Sequence, residues 1–240
     1  MLKTIRSNAD LAGRTLVIGG PFEFISSDGQ DHAMEASFAP LVKAYDALGY
    51  NSGAMSMAEA AKFQSLGIAP PHGWVTLDPK EPRTVILAAN GHKVGVVYFP
   101  EGKHPDDLPA EDTLSKVSRA LKELRPQVAL LVGVSPWGSQ ATHDYLEKTA
   151  PDLDILLGAG LGVGFMARPA LDGKVLLAHA YYKGKAIYAI DVLALPGAKD
   201  FKWVAGTNFS SKAVALDEAF PPDPDMERLL QGVQDPGDKH

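Results

Sequence analysis

The chain contains no cysteine. That excludes a disulfide, a thiolate nucleophile, a zinc knuckle and an iron–sulfur site. No apolar run approaches the ~20 residues of a membrane span, so direct membrane insertion is not expected. Runs of Lys and Arg are also missing. With a net charge of −6 and scattered cations, the chain lacks the basic face of a non-specific nucleic-acid binder. Met1–Arg14 is polar and has no apolar centre, so it is not a signal peptide. The expectation is either a cytoplasmic protein or one whose export signal lies outside this chain.

What is present is the make-up of a globular protein. The chain has 240 residues, 45% hydrophobic and 22% charged, which suits one domain with its core over about residues 15–230. Apolar residues at helical spacing (Met34, Phe38, Leu41, Val42, Tyr45, Leu48) predict a helix over Ala33–Leu48, stopped by Gly49. Further helices are predicted over Ala58–Leu66, Leu114–Leu124, Gln140–Ala150 and around Met226–Val233. Strands are predicted over Thr15–Gly19, Ser52–Met55, Trp74–Leu77, Thr84–Ala89, Lys93–Phe99, Val128–Val134, Asp154–Leu157, Val175–His179 and Ala186–Val192. Asn90-Gly91 is a strong hairpin signal. Val175–His179 is expected to pair with Ala186–Val192 across Tyr181–Lys185. Thr207–Ser211 reads as a polar turn. Helices alternate with strands early and hairpins dominate later. This predicts an α/β fold of two packed sheets with helices outside.

Three chemical motifs can be tested by spacing. Gly158-Ala-Gly160-Leu-Gly162-Val-Gly164 follows a strand but lacks the G-x-G-x-x-G spacing. Pro169 and Asp172 leave little room for the helix that a dinucleotide needs, so a tight loop is the better reading. Gly133-Val-Ser135-Pro-Trp-Gly138 is one residue too long for a nucleophile elbow. Its Pro136 also lacks the N–H required for the oxyanion hole. The histidines show no H-x-H, H-E-x-x-H or D-x-H spacing; His32 and His179 are the best placed for a cleft. Glu23, Asp28, Asp31 and Glu59 are carboxylates near the expected loop edge. Trp137, Phe165, Tyr181 and Tyr182 could line a pocket, although such aromatics more often pack in cores.

The order of these segments resembles the catalytic domain of the calcineurin-like metallophosphoesterases, in the 5′-nucleotidase (UshA-like) branch. Thr15–Phe24 (TLVIGGPFEF) is similar to the family's strand ending in Gly-Asp, with Pro21 at the aspartate. Ala47–Glu59 (ALGYNSGAMSMAE) is similar to the segment that carries an Asn-His pair, with Met57 and Ala58 in their places and Glu59 kept. Ala129–Gly138 resembles the segment with the next histidine, where Pro136 stands, and Leu153–Gly162 resembles the last one, with Gly160 and Gly162 for its histidines. His92–Tyr98, between the second and third of these, resembles the family's hairpin with v-G-v, and Leu176–Val192 and Val214–Met226 resemble later family segments. The resemblance covers about residues 15–230. It implies an α/β/β/α fold, a two-sheet β-sandwich flanked by helices. The family's first strand has no clear counterpart, and no C-terminal nucleotidase domain is expected within these 240 residues. An exported, periplasmic setting is also implied.

Family enzymes use two metals to polarise phosphate and generate hydroxide. None of Pro21, Met57, Ala58, Pro136, Gly160 and Gly162 binds a hard or borderline cation well, since Met suits soft metals. No cofactor, metal or catalytic residue is therefore expected. The leading expectation is a non-catalytic module that binds a protein or small molecule. Its emptied cleft would be bordered by Pro21, Glu23, Met57, Ala58, Glu59, Ser135, Pro136, Trp137, Gly160, Gly162, His179 and Tyr182. The alternative is a hydrolase with a relocated site drawn from Glu23, Asp28, Asp31, His32, Glu59 or His179. A third reading is an assembly module with an exposed sheet edge.

Overall fold

The structure is a computed structural model, and it describes residues 11, 13–25, 35–102, 107–180, 186–197, 200–216 and 221–233. The chain divides into two compact bodies, Met1–Thr76 with Glu218–His240, and Leu77–Asp217.

In the first body, helix α1 (Phe38–Leu48) follows a 3₁₀ turn at Glu35–Ser37. Ala33 and Met34, where the helix was expected to begin, lie outside the described residues. Gly49 ends α1 at φ 61, and its N–H returns to the carbonyls of Tyr45 and Asp46. A left-handed residue here closes the last turn, which is why glycine stands there. The buried face of α1 carries Phe38 and Val42 into a cluster with Phe24, Phe63 and Trp74. Strand β1 (Gly53–Met55) leads into α2 (Met57–Leu66) and pairs in parallel with β2 (Trp74–Thr76). Gly53 is required by this pairing, because a Cβ there would lie 2.4 Å from the Trp74 indole. The expected strand over Thr15–Gly19 is reduced to one bridge, Ile18 to Ser52. The Val17 N–H is taken by the Asn51 side chain, to Oδ1 at 2.8 Å, where a ladder would need a strand carbonyl.

The second body is built on a six-stranded sheet. Strands β3 (Arg83–Ala89) and β4 (His92–Tyr98) form the expected hairpin. Asn90 and Gly91 turn at φ 50 and φ 76, the paired left-handed geometry that Asn-Gly favours. Helix α3 (Glu111–Leu124) ends before Arg125-Pro126 and is followed by β5 (Leu130–Ser135), α4 (Ser139–Thr149), β6 (Ile155–Gly158), β7 (Phe165–Ala170) and β8 (Val175–His179). The sheet order is β3-β4-β5-β6-β8-β7. The inner strands β4, β5, β6 and β8 are parallel, and both edge strands are antiparallel to their neighbours. Parallel neighbours need crossovers, and α3 and α4 supply two of them. Leu114, Val117, Leu121, Tyr145 and Leu146 on these helices pack with Val97, Leu131, Leu156 and Leu177 of the sheet. The mixed α/β architecture, a multistranded sheet flanked by helices, is the expected one.

One pairing differs from expectation. β8 pairs with β6 and β7, while β9 (Ala186–Val192) pairs with β10 (Phe209–Ala215) in a separate antiparallel ladder. The partner of β8 is reached through Leu171, Asp172 and Gly173, all at positive φ. Thr207–Ser211 is accordingly not just a polar turn, because β10 begins at Phe209.

A partly buried ion pair fixes the start of β6. The Asp154 carboxylate accepts from Arg125 Nη1 and from the Leu131 N–H, both at 2.7 Å. Its backbone carbonyl accepts from Trp203 Nε1 at 3.1 Å. Desolvation raises the Asp154 carboxyl, while the Arg125 hydrogen bond opposes the rise.

Candidate functional site

In the second body the expected site residues lie where parallel strands end in loops, the edge at which α/β sheets usually carry ligands. Register places Ser135, Gly158 and His179 in one row at the carboxyl ends of β5, β6 and β8. Ser135 is fully buried. Its Oγ accepts from the Trp137 N–H at 3.2 Å and lies 3.1 Å from Thr142 Oγ1. Thr142 Oγ1 in turn donates to the Trp137 carbonyl at 3.2 Å. The serine hydroxyl is thus tied into the first turn of α4. Trp137 is 1% exposed and donates Nε1–H to the Pro100 carbonyl at 2.9 Å. It stacks edge-on against Tyr145, so the structure puts it in the core.

The glycine loop after β6 closes on the loop after β5. A Cβ on Gly160 would lie 2.4 Å from the Pro136 and Trp137 backbones. One on Gly162 would lie 2.4 Å from Ser139 Oγ. The Ser139 N–H, first in α4, donates to the Leu161 carbonyl at 2.7 Å. Gly138, the N-cap of α4, makes no side-chain cap bond. The loop carbonyl therefore does what a capping side chain would otherwise do. The glycines allow backbone to meet backbone, as expected for a tight loop.

His179 is 1% exposed. Nδ1 lies 3.0 Å from the Ala180 carbonyl, which only accepts, so Nδ1 carries the proton in the neutral ring. Nε2 is then a buried acceptor, and among the described residues it has no hydrogen-bond partner. Desolvation lowers the pKa below its ordinary value of 6.5; the bond to Ala180 opposes this. Phe165 covers the ring at a centroid distance of 6.0 Å, and the Arg168 guanidinium sits 4.3 Å over Phe165.

In the first body, Glu59 is fully buried and its carboxylate is used up by backbone. Oε2 accepts from the N–H groups of Ser56 at 2.7 Å and Phe22 at 3.1 Å. Oε1 accepts from Phe24 at 2.8 Å and Ile25 at 3.3 Å. The same residue closes a capping box with Ser56 at the start of α2. Phe22 is held at φ 77, a conformation costly for a bulky residue unless its surroundings impose it. Glu23 is exposed as a residue, but its carboxylate turns in to accept from Tyr45 Oη at 2.8 Å. Desolvation pushes that carboxyl up to about 7; the Tyr45 bond opposes the rise and the Glu59 charge adds to it. Pro21 is buried, whereas Met57 and Ala58 are exposed on the first turn of α2.

The structure therefore joins Glu59 to the 22–25 segment, Glu23 to Tyr45, and Pro136 and Trp137 to Gly160. Tyr182, Asp28, Asp31 and His32 lie outside the described residues. Sequence reasoning missed the role of Ser56. Its signal was legible, since Ser56-Met57-Ala58-Glu59 has the S-x-x-E spacing of a capping box. The residues at these loops do not fit a hydrolytic metal pair. Proline, alanine and glycine offer no side-chain donor, and methionine offers only a soft one. Among the described residues, no group of three or more His, Asp or Glu side chains is placed to share an ion. No helix among them is long and apolar enough to cross a membrane.

No protein-family model and no curated protein matches the chain. Among solved structures it is similar to a 5′-nucleotidase from Candida albicans SC5314, at a TM-score of 0.56 and 12% identity. The likeness covers 95% of this chain and 47% of that one. The chain thus shares the fold of a 5′-nucleotidase over about half of that protein's length.

Proposed function

We propose that this is a 5′-nucleotidase-like domain that binds a protein or small-molecule partner and does not hydrolyse phosphate esters. The observation that carries the reading is the seating of Gly160 on the Pro136 and Trp137 backbones at 2.4 Å from a would-be Cβ. A ligating side chain has no room to start there. A buried cation needs compensating charge and donor atoms, and Pro21, Met57, Ala58, Pro136, Gly160 and Gly162 supply no charge and no hard donor side chain. Among the described residues, the two carboxylates named for a relocated site are already engaged, and the one histidine is buried. Glu59 accepts four backbone N–H bonds, Glu23 holds Tyr45, and His179 is buried.

The test is elemental analysis of the purified protein for Mn, Zn, Fe and Ni, paired with phosphomonoester and phosphodiester assays in those metals. The expected result is substoichiometric metal and no turnover above buffer. Stoichiometric metal accompanied by turnover overturns the reading.

A further inference from the structure

The two edges of the six-stranded sheet are guarded very differently. The β7 edge carries Pro169, the exposed Arg168 and a register shift between Phe165 and Arg168. It is also covered, because the Ala167 N–H donates to Ser211 Oγ of β10 at 3.0 Å. Proline, charge, bulges and cover are the usual ways to keep a sheet edge from pairing with another chain. Among the described residues the β3 edge has no such cover and little of the rest. Over Arg83–Ala89 there is no proline and no bulge, and the only charge is Arg83 at one end, 3.5 Å from Asp78. Ile86 is 44% exposed, and Thr84 and Ala88 are exposed beside it. Among the described residues no strand pairs with this edge.

We propose that β3 pairs with β3 of a second copy, antiparallel about a two-fold axis at Ile86. The backbone fixes this register. Ala89 and His92 close a two-residue turn, so that pair exchanges its hydrogen bonds within the hairpin. Alternation then turns the N–H and C=O groups of Arg83, Val85, Leu87 and Ala89 toward β4, and those of Thr84, Ile86 and Ala88 outward. A two-fold axis at Ile86 sets Ile86 opposite Ile86 and Thr84 opposite Ala88, and this uses every outward group on both copies. Val85 falls opposite Leu87 in the pairs between. Charge decides the direction. The antiparallel register faces Arg83 with Ala89, whereas a parallel in-register pair would set Arg83 beside Arg83. The two-fold contact consumes the edge and closes the assembly at two. Seven residues a side fall short of the roughly 20–30 of a standard interface, so the dimer is weak, with a dissociation constant in the micromolar range. The pairing stands whether or not the domain has hydrolytic activity.

Sedimentation velocity on the full chain from about 1 to 200 μM should show mass rising from monomer toward dimer. Thr84→Pro removes an outward N–H and no hairpin bond, so it should keep the parent's thermal unfolding and hold the protein monomeric. The chain has no cysteine, which makes a thiol trap clean. Paired Ile86 residues place their Cα atoms about 5.5 Å apart, within disulfide reach. Oxidised Ile86→Cys should therefore cross-link two copies, and Thr84→Cys, which faces Ala88, should not. A monomer at every concentration, a dimer untouched by Thr84→Pro, or equal cross-linking at both cysteine positions overturns the proposal.

Discussion

Gly158 lies directly beneath the ring of His179: a Cβ on the glycine would sit 2.5 Å from Cδ2 and 3.2 Å from Nε2. The two are register partners on β6 and β8. The histidine thus occupies the volume that a side chain on its neighbour would need. Gly158→Ala is expected to destabilise the protein by about 1–3 kcal/mol, the usual cost of overpacking. Removing the ring should relieve the clash. In urea unfolding, the Gly158→Ala/His179→Ala pair should lose less than the sum of the two single losses. Strict additivity would show that the ring does not fill that space.

Burial of His179 makes stability depend on pH in a defined direction. The folded-state pKa lies below 6.5 because desolvation disfavours the charged ring. The unfolded chain therefore binds the proton first, and acid favours unfolding. The contribution of His179 is complete above pH 6.5 and is lost as pH falls from 6.5 toward the folded-state value. His179→Phe removes the titration. Its melting temperature should fall less than the parent's on acidification below pH 6.5. Parallel curves for the two proteins would contradict the burial.

Much of the second body was legible because its signals were local. Asn90-Gly91 named the β3–β4 hairpin, and Pro126 set the end of α3 within a residue or two. The β8 pairing was not legible for physical reasons. Its partner β7 contains Pro169, Arg168 and a register shift, so it shows neither the alternation nor the composition of a strand. β9 follows β8 closely and offered a false hairpin, whereas its true partner β10 lies across the long 193–208 connection. At the candidate site, the donor-poor loops could be read from residue types alone. That Gly160 is pressed against backbone could not, since it depends on how two distant loops meet.

Glu59 organises the first body through its carboxylate. Glu59→Ala strands the N–H groups of Ser56, Phe22, Phe24 and Ile25 and removes the force that holds Phe22 at φ 77. Bonds to a buried charge are worth roughly 1.5–3 kcal/mol each when broken singly. Water will satisfy some of the freed groups, so a net loss of about 3 kcal/mol is expected. Amide exchange should speed up at residues 22–25 far more than in the second body. Unchanged protection at Phe24 and Ile25 would show that the loop is held by something else.

The closed contact at Gly160 can be separated from the general effects of losing a glycine. Among the described residues nothing lies within 4 Å of a would-be Cβ on Gly197, and its φ is not positive. Gly197→Ala should be neutral or stabilising by up to about 1 kcal/mol, because it restricts only the unfolded chain. Gly160→Ala gains the same entropic benefit but places a methyl 2.4 Å from the Pro136 and Trp137 backbones. Backbone cannot rotate away as a side-chain tip can, so a loss of about 1–3 kcal/mol is expected. Gly160→His should be at least as destabilised and should take up no Mn or Zn on dialysis, measured beside the parent. The result that counts against a closed loop is a Gly160→Ala protein as stable as Gly197→Ala, because the two loops would then have parted to admit a side chain and the room denied to a metal ligand would exist after all.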